Sequence, residues 1–169
     1  TGSFSSSVGS IAGTGKTISN CQSTCDINVT LNGTLEYSTS SDASAIGGIV
    51  GRSSEGAVSN CNFKGTIEVP EVNFCGGIIG NIHKGTITNC ENSSTINTKS
   101  YFLGGIAGVA GYSNISGCRN KSDISSSFKF KSPLTSYAAV QMGGLIGNSV
   151  YNSVKNCYNE GAISLTATN

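Results

Sequence analysis

CGGIIGNIHKGTITNC, residues 75–90, sets two glycines ahead of a short apolar run, then a turn and a Thr-Ile-Thr strand, and closes on Asn-Cys. The same phrase returns as VGSIAGTGKTISNC (8–21), IGGIVGRSSEGAVSNC (46–61), LGGIAGVAGYSNISGC (103–118) and MGGLIGNSVYNSVKNC (142–157). In every copy but the first, the leading Gly stands 14 residues before the Cys; from Gly9 to Cys21 the distance is 12. A spacing held four times marks a structural repeat, and a unit this short cannot bury an apolar face alone.

Past each Cys the pattern becomes strict alternation, the period of a strand rather than a helix. One face carries Cys61, Phe63, Gly65, Ile67 and Val69; the matching rows are Cys90, Asn92, Ser94, Ile96, Thr98 and Cys157, Asn159, Gly161, Ile163, Leu165. The third place is small (Cys25, Gly65, Ser94, Ser122, Gly161) and the fourth is Ile27, Ile67, Ile96, Ile124 or Ile163. Before the Cys runs a second apolar column, Ile18, Val58, Ile87, Ile115 and Val154, of opposite parity. The chain must bend between the columns, at Asn20, Asn60, Asn89 and Asn156, with Gly117 as the exception. Asn suits such a bend because it tolerates left-handed backbone and bonds locally.

Each copy therefore reads as about three short strands separated by corners. Stacking lets each coil complete its neighbour's core and backbone ladders. The expected fold is all-β, a right-handed parallel β-helix (β-solenoid) of about five coils, rising ~4.8 Å per coil. It forms one domain over residues 1–169, with repeats near 8–29, 46–69, 75–98, 103–126 and 142–165.

The Gly-Gly-[Ile/Leu]-x-Gly block, its turn and the Asn-Cys element resemble the GLUG-motif repeat family. Four copies fit well; the first has Ser10 in place of the second Gly. The resemblance implies a β-helical segment of bacterial cell-surface or secreted proteins, including adhesin-like proteins and the non-catalytic parts of some secreted peptidases. It brings no catalytic residue with it.

Composition agrees with short strands and tight turns. Charged residues make up 11% of the chain, against roughly 25% in ordinary soluble domains. There are 23 glycines, no Trp and two prolines, and the net charge is +1. That charge offers no footprint for nucleic acid or an anionic membrane, and no apolar run approaches the ~20 residues of a membrane span. The chain lacks an initiator Met, a leader and polar solenoid caps, so it reads as a segment of a longer polypeptide.

Successive leading glycines lie 38, 29, 28 and 39 residues apart. The two long intervals hold inserts at residues 30–45 and 127–141. The first carries INVTLNGTLEYS, with an Asn32-Gly33 hairpin signal; the second is SSFKFKSPLTSYAAV. Both read as hairpins or loops that project from the coil, to bind a ligand or to shield sheet edges.

Several motifs suggest chemistry and fail on inspection. GTGKT at 13–17 lacks the Gly a phosphate loop needs at position 10, and it leads into a strand. The Gly-x-x-x-Gly spacings sit in blocks too short for membrane helices and mark backbone crowding at a corner. Cys21 and Cys25 lie on one strand face, ~13 Å apart, too far for a disulfide. Cys21, Cys61, Cys90, Cys118 and Cys157 form an inward ladder of free thiols that pack as small hydrophobes. His83 reads as an exposed turn residue. Glu68 and Glu71 are near neighbours without the partner that glycoside hydrolysis requires. No catalytic residue, metal or cofactor is expected.

What remains is recognition. The turns RSSEG, NIHKG, AGYSN and SVYNS stack on one edge and present Arg52, His83, Tyr112 and Tyr151; the inserts add Tyr37, Phe128, Phe130 and Tyr137. Aromatics beside Asn and Ser suit contacts to a glycan or to a host or surface protein. The expected role is a non-enzymatic, adhesin-like repeat module, extracellular or on the cell surface. The alternative is an ancillary substrate-binding or spacer domain of a larger secreted peptidase or glycan-active enzyme.

Overall fold

The computed structural model describes residues 6–30, 38–40, 42–129 and 140–168. Among them every strand pairing is parallel, and the strands assemble into one eight-stranded and three five-stranded sheets. The third coil shows the plan: Thr66–Gly76 forms the long face, Ile79–His83 the second, Thr86–Thr88 the third and Glu91–Asn92 the fourth. The chain is thus a parallel β-solenoid with four strands per coil, not about three. The extra corner lies after the Cys: the alternating row that reads as one strand breaks at its small third place, between Glu91–Asn92 and Thr95–Gly104. At the expected turns Glu55, Lys84, Tyr112 and Tyr151 adopt left-handed φ of 51–53°.

The apolar columns pair in register. Ile27, Ile67, Ile96, Ile124 and Ile163 follow one another on the long face. Ile18, Val58, Ile87, Ile115 and Val154 do so on the third. The inner coils bury these residues completely, while Val154 and Ile163 at the last coil are 43% and 50% exposed. The bend between columns falls where Asn predicts it: Asn20, Asn60, Asn89 and Asn156 have φ of 53–58°, and Gly117 has 64°. Asn60 and Asn89 each donate a side-chain bond to the Asn one coil earlier, at 3.1 and 3.4 Å. At Gly117 the Asn89 amide reaches into the place a Cβ would take, 2.3 Å away at Oδ1.

Inside the coil runs a second asparagine ladder. Asn92 Nδ2 donates to Asn120 Oδ1 at 2.9 Å, and Asn120 Nδ2 donates to Asn159 Oδ1 at 2.8 Å. Asn92 and Asn120 are completely buried. Asn120 is satisfied twice more, donating to Ser122 O and accepting from Ser122 N. The ladder lies against the second Gly of each pair: a Cβ on Gly77, Gly105 or Gly144 would come 2.2–2.3 Å from the amide of Asn92, Asn120 or Asn159. On Gly48 it would come equally close to Phe63, which occupies that column in the second coil. In the first coil the column holds Ser23. The smaller side chain leaves room for Ser10, whose hydroxyl bonds Gly48 O.

The regular cysteines face inward. Each of Cys21, Cys61, Cys90, Cys118 and Cys157 donates its thiol to the carbonyl two residues earlier, at 3.2–3.4 Å, next to the Asn bend. All seven cysteines are free: Cys61, Cys75, Cys90 and Cys118 are buried, Cys21 and Cys157 half-buried. Cys25 departs from its row and is exposed. Its place must be small for another reason, since its carbonyl would lie 1.8 Å from a Cβ on Gly65. A thiol reagent is expected to label Cys25 promptly, Cys21 and Cys157 slowly, and the other four only after denaturant; prompt reaction of four or more would refute the inward column.

Burial pushes the Cys75 thiol from 9.0 up to about 12. Between adjacent coils the shared thiol hydrogen bond raises Cys90 and lowers Cys118. An unfolded thiol ionises near 9, before Cys75 does in the folded chain, so the unfolded state sheds its proton first. Stability is therefore fully present below pH 9 and lost as pH rises toward 12, by at most ~1.4 kcal/mol per unit for this thiol. Urea midpoints measured between pH 8 and 11 should fall, and Cys75→Ala should flatten part of that fall.

The chain leaves the long face midway at both inserts: Ile27–Asn28 resumes at Ala45–Gly47, and Ile124–Lys129 at Gln141–Gly143. The hairpins expected at 30–45 and 127–141 fall mostly on residues 31–37, 41 and 130–139, outside the described residues, as do Tyr37, Phe130 and Tyr137. Residues 127–129 belong to the coil wall instead of an insert, paired in register with Thr166, Ala167 and Thr168.

Candidate functional site

The Gly-Gly corner folds the second face back toward the long face, so outward side chains on either side of the corner meet. The long face contributes the column Ala45, Phe74, Phe102 and Gln141. The second face contributes Arg52, Asn81, Val109 and Asn148. They line an external groove that runs along the solenoid axis. Phe74 and Phe102 form its floor, with centroids 5.6 Å apart, and pack with Ala43, Ala45 and Val109 into a cluster separate from the coil core.

Both ends of the groove are closed by polar contacts. At one end Arg52 Nη2 donates to Ala43 O, and Nη1 lies 3.5 Å from Asp42 Oδ1. At the other, Asn148 Nδ2 donates to Gln141 Oε1. One wall is an aromatic stack. His83 meets Tyr112 edge-on at 5.5 Å, and Tyr112 stacks on Tyr151 at 5.1 Å. Gly111, between His83 and Val150 in the second-face register, contributes no side chain to the wall.

The enclosed volume is about 410 Å³, within the ~300–1,000 Å³ of small-molecule sites. Phe74, Phe102 and Val109 supply apolar surface, Asn81 and Asn148 amides, and His83 and Tyr112 polar-edged rings. Among the described residues no Asp, Glu, Lys or Arg lines the central space, and Arg52 at its end is engaged by Ala43 O and Asp42. The middle of the groove has nothing to neutralise an ionic ligand. It suits a neutral molecule with an apolar face and a hydroxyl rim.

Tyr112 and Tyr151 hold left-handed backbone, uncommon for a bulky side chain and costly by ~1–2 kcal/mol. Backbone pairing offsets that cost at Tyr112, whose N–H bonds Val150 O at 2.8 Å. Asn or Gly would fit the turn better, so the tyrosines are not there for the turn's sake.

The structure brings His83, Tyr112 and Tyr151 onto one edge; Tyr112 and Tyr151 are 55% and 80% exposed. Arg52 turns inward and closes the groove. Phe128 is a correction: continued alternation from Ile124 and Ser126 keeps it on the buried parity, 8% exposed and 5.5 Å from Tyr101. Phe74, Phe102, Asn81 and Asn148 were missed by sequence reasoning. Their signal was the column just before the Gly pair in NFCGG and YFLGG, which coil-by-coil alignment exposes.

Among the described residues no group of three or more His, Cys, Asp or Glu could hold a metal ion, and no helix is long and apolar enough to cross a membrane. The family model described as the GLUG motif matches residues 42–68. No curated protein and no solved structure matches the chain.

Proposed function

We propose, from the GLUG-motif match at residues 42–68 and the repeat of that motif along the solenoid, that this chain is a non-enzymatic, adhesin-like module of a secreted or surface-attached protein, and that it binds glycan in the corner groove. The observation that carries this reading is the groove with an uncharged centre, walled by Tyr112, on which Tyr151 stacks, both held in a backbone conformation that disfavours them. A pyranose ring presents an apolar C–H face to Val109 and the Tyr112 ring, above the buried Phe74 and Phe102, while its hydroxyls meet the amides and the tyrosine edge. The stacked coils supply a rigid frame, which limits the ordering cost of binding. Exposure at the cell surface or outside the cell gives such a groove access to glycans, and the buried thiols tolerate that setting.

Tyr112→Asn separates binding from folding. Asn accepts the left-handed turn, so the melting temperature should hold or rise by a few degrees, while binding to a neutral glycan array should drop at least tenfold. An unchanged array profile would remove the groove as the site. Binding only to a protein partner would replace the glycan reading.

A further inference from the structure

On the outer surface of the long face lies a second cavity, also about 410 Å³, bordered by Glu68, Pro70, Asn97 and Lys99, with Asn28 and Ser127 from neighbouring coils. It shares its two central strands, Thr66–Gly76 and Thr95–Gly104, with the groove floor. Register slips there: Val69 pairs with Thr98 but Val72 with Ser100, so one strand carries an extra residue. Bulges of this kind re-aim side chains and open the surface locally. Pro70 sits within the bulge.

Between the two cavities stands Tyr101, half-buried, its hydroxyl donating to Glu71 Oε1 at 3.2 Å and its ring 5.5 Å from Phe128. Burial first, then the Glu71 carboxylate, pushes this phenol up to about 12, so at neutral pH it stays a protonated, uncharged platform. From Thr98 to Phe102 along one strand, and from Val69 to Phe74 along the other, the path is roughly 13–17 Å at strand rise. A single sugar ring cannot touch both cavities. A linear chain of several rings can.

Resting on the glycan reading above, we infer that the groove and the second cavity are two subsites of one track, joined across Tyr101, for an unbranched neutral polysaccharide lying along the long-face strands. The groove grips one ring between aromatic and amide groups. Tyr101 supports the middle of the chain. Asn97 and Lys99 bond hydroxyls at the far end, where both side chains are exposed.

The test uses linear neutral oligosaccharides of one to six units, from glucose-type and N-acetylglucosamine-type series, titrated calorimetrically against the whole chain. Affinity is expected to rise at least tenfold between the disaccharide and the hexasaccharide. A double variant, Asn97→Ala with Lys99→Ala, should lower hexasaccharide affinity about fivefold or more and leave the disaccharide unchanged; both positions are exposed, so the variant should fold. Affinity independent of length, but still lost in Tyr112→Asn, would overturn the track and leave the groove standing. No binding at any length would overturn both.

Discussion

Asn120→Asp is expected to destabilise the protein by about 3–5 kcal/mol at neutral pH, the cost of leaving a charge uncompensated in the interior. The site is completely buried. Its Nδ2 donates to Asn159 Oδ1 and Ser122 O, while its Oδ1 accepts from Asn92 Nδ2 and Ser122 N. Asp keeps the shape and loses both donations, and places carboxylate oxygen against two oxygens. Those repulsions and burial raise the new carboxyl's pKa above the ~3.9 of an unfolded Asp. The folded variant therefore binds more protons than the unfolded one above that value, and the penalty grows as pH rises from about 4. Denaturation midpoints of variant and parent should converge on acidification. A variant as stable as the parent at pH 7 would mean that the ladder is not formed.

Gly105→Ala should cost about 3 kcal/mol, at the upper end for overpacking, or roughly 6–12 °C in melting temperature for a chain of this size. Its Cβ would stand 2.2 Å from Gly144 O and 2.3 Å from Asn120 Cγ. The first obstacle is the backbone of the next coil and the second is a member of the ladder, so neither can step aside cheaply. Gly111→Ala is the matched control. There the nearest atom is His83 Nδ1 at 3.1 Å and the next is 3.8 Å away, so its stability should change by less than about 1 kcal/mol. Equal losses in the two variants would show that corner crowding is not what the repeated glycines answer to.

These two substitutions touch opposite sides of one contact, which explains why a single-sequence reading found half of it. The period-two rows, the Asn bends and the Gly-Gly corners were legible because each is a local rule: alternation, left-handed tolerance, absence of Cβ. Asn92 and Asn159 were placed correctly in the inward row, yet their meaning comes from the residue one coil away, 28 and 39 positions off in the ladder. The fourth face was hidden for a different reason. Alternation runs on through Asn92, Ser94 and Ile96 although the strand breaks at residues 93–94, and a small residue at that place does not by itself announce a corner.

The groove was partly legible. Stacked turns were enough to bring Tyr112 and Tyr151 together. Phe102 was not readable from alternation, because the strand reverses its facing between Ser100 and Leu103: Phe102 joins the outer cluster and Leu103 the core. Phe128 departs in the opposite sense, since alternation persists past residue 127, where the insert is expected to begin.

The fold and the groove both depend on coils that stack in register. Amide-to-amide through-space contacts in a uniformly labelled sample test this directly on the third face, where Ser59, Thr88 and Ser116 are neighbours in successive coils. The predicted result is an unbroken series linking residues 59, 88 and 116, with the same series at Val58, Ile87 and Ile115. A series displaced by one residue, or contacts confined to sequence neighbours, would contradict it.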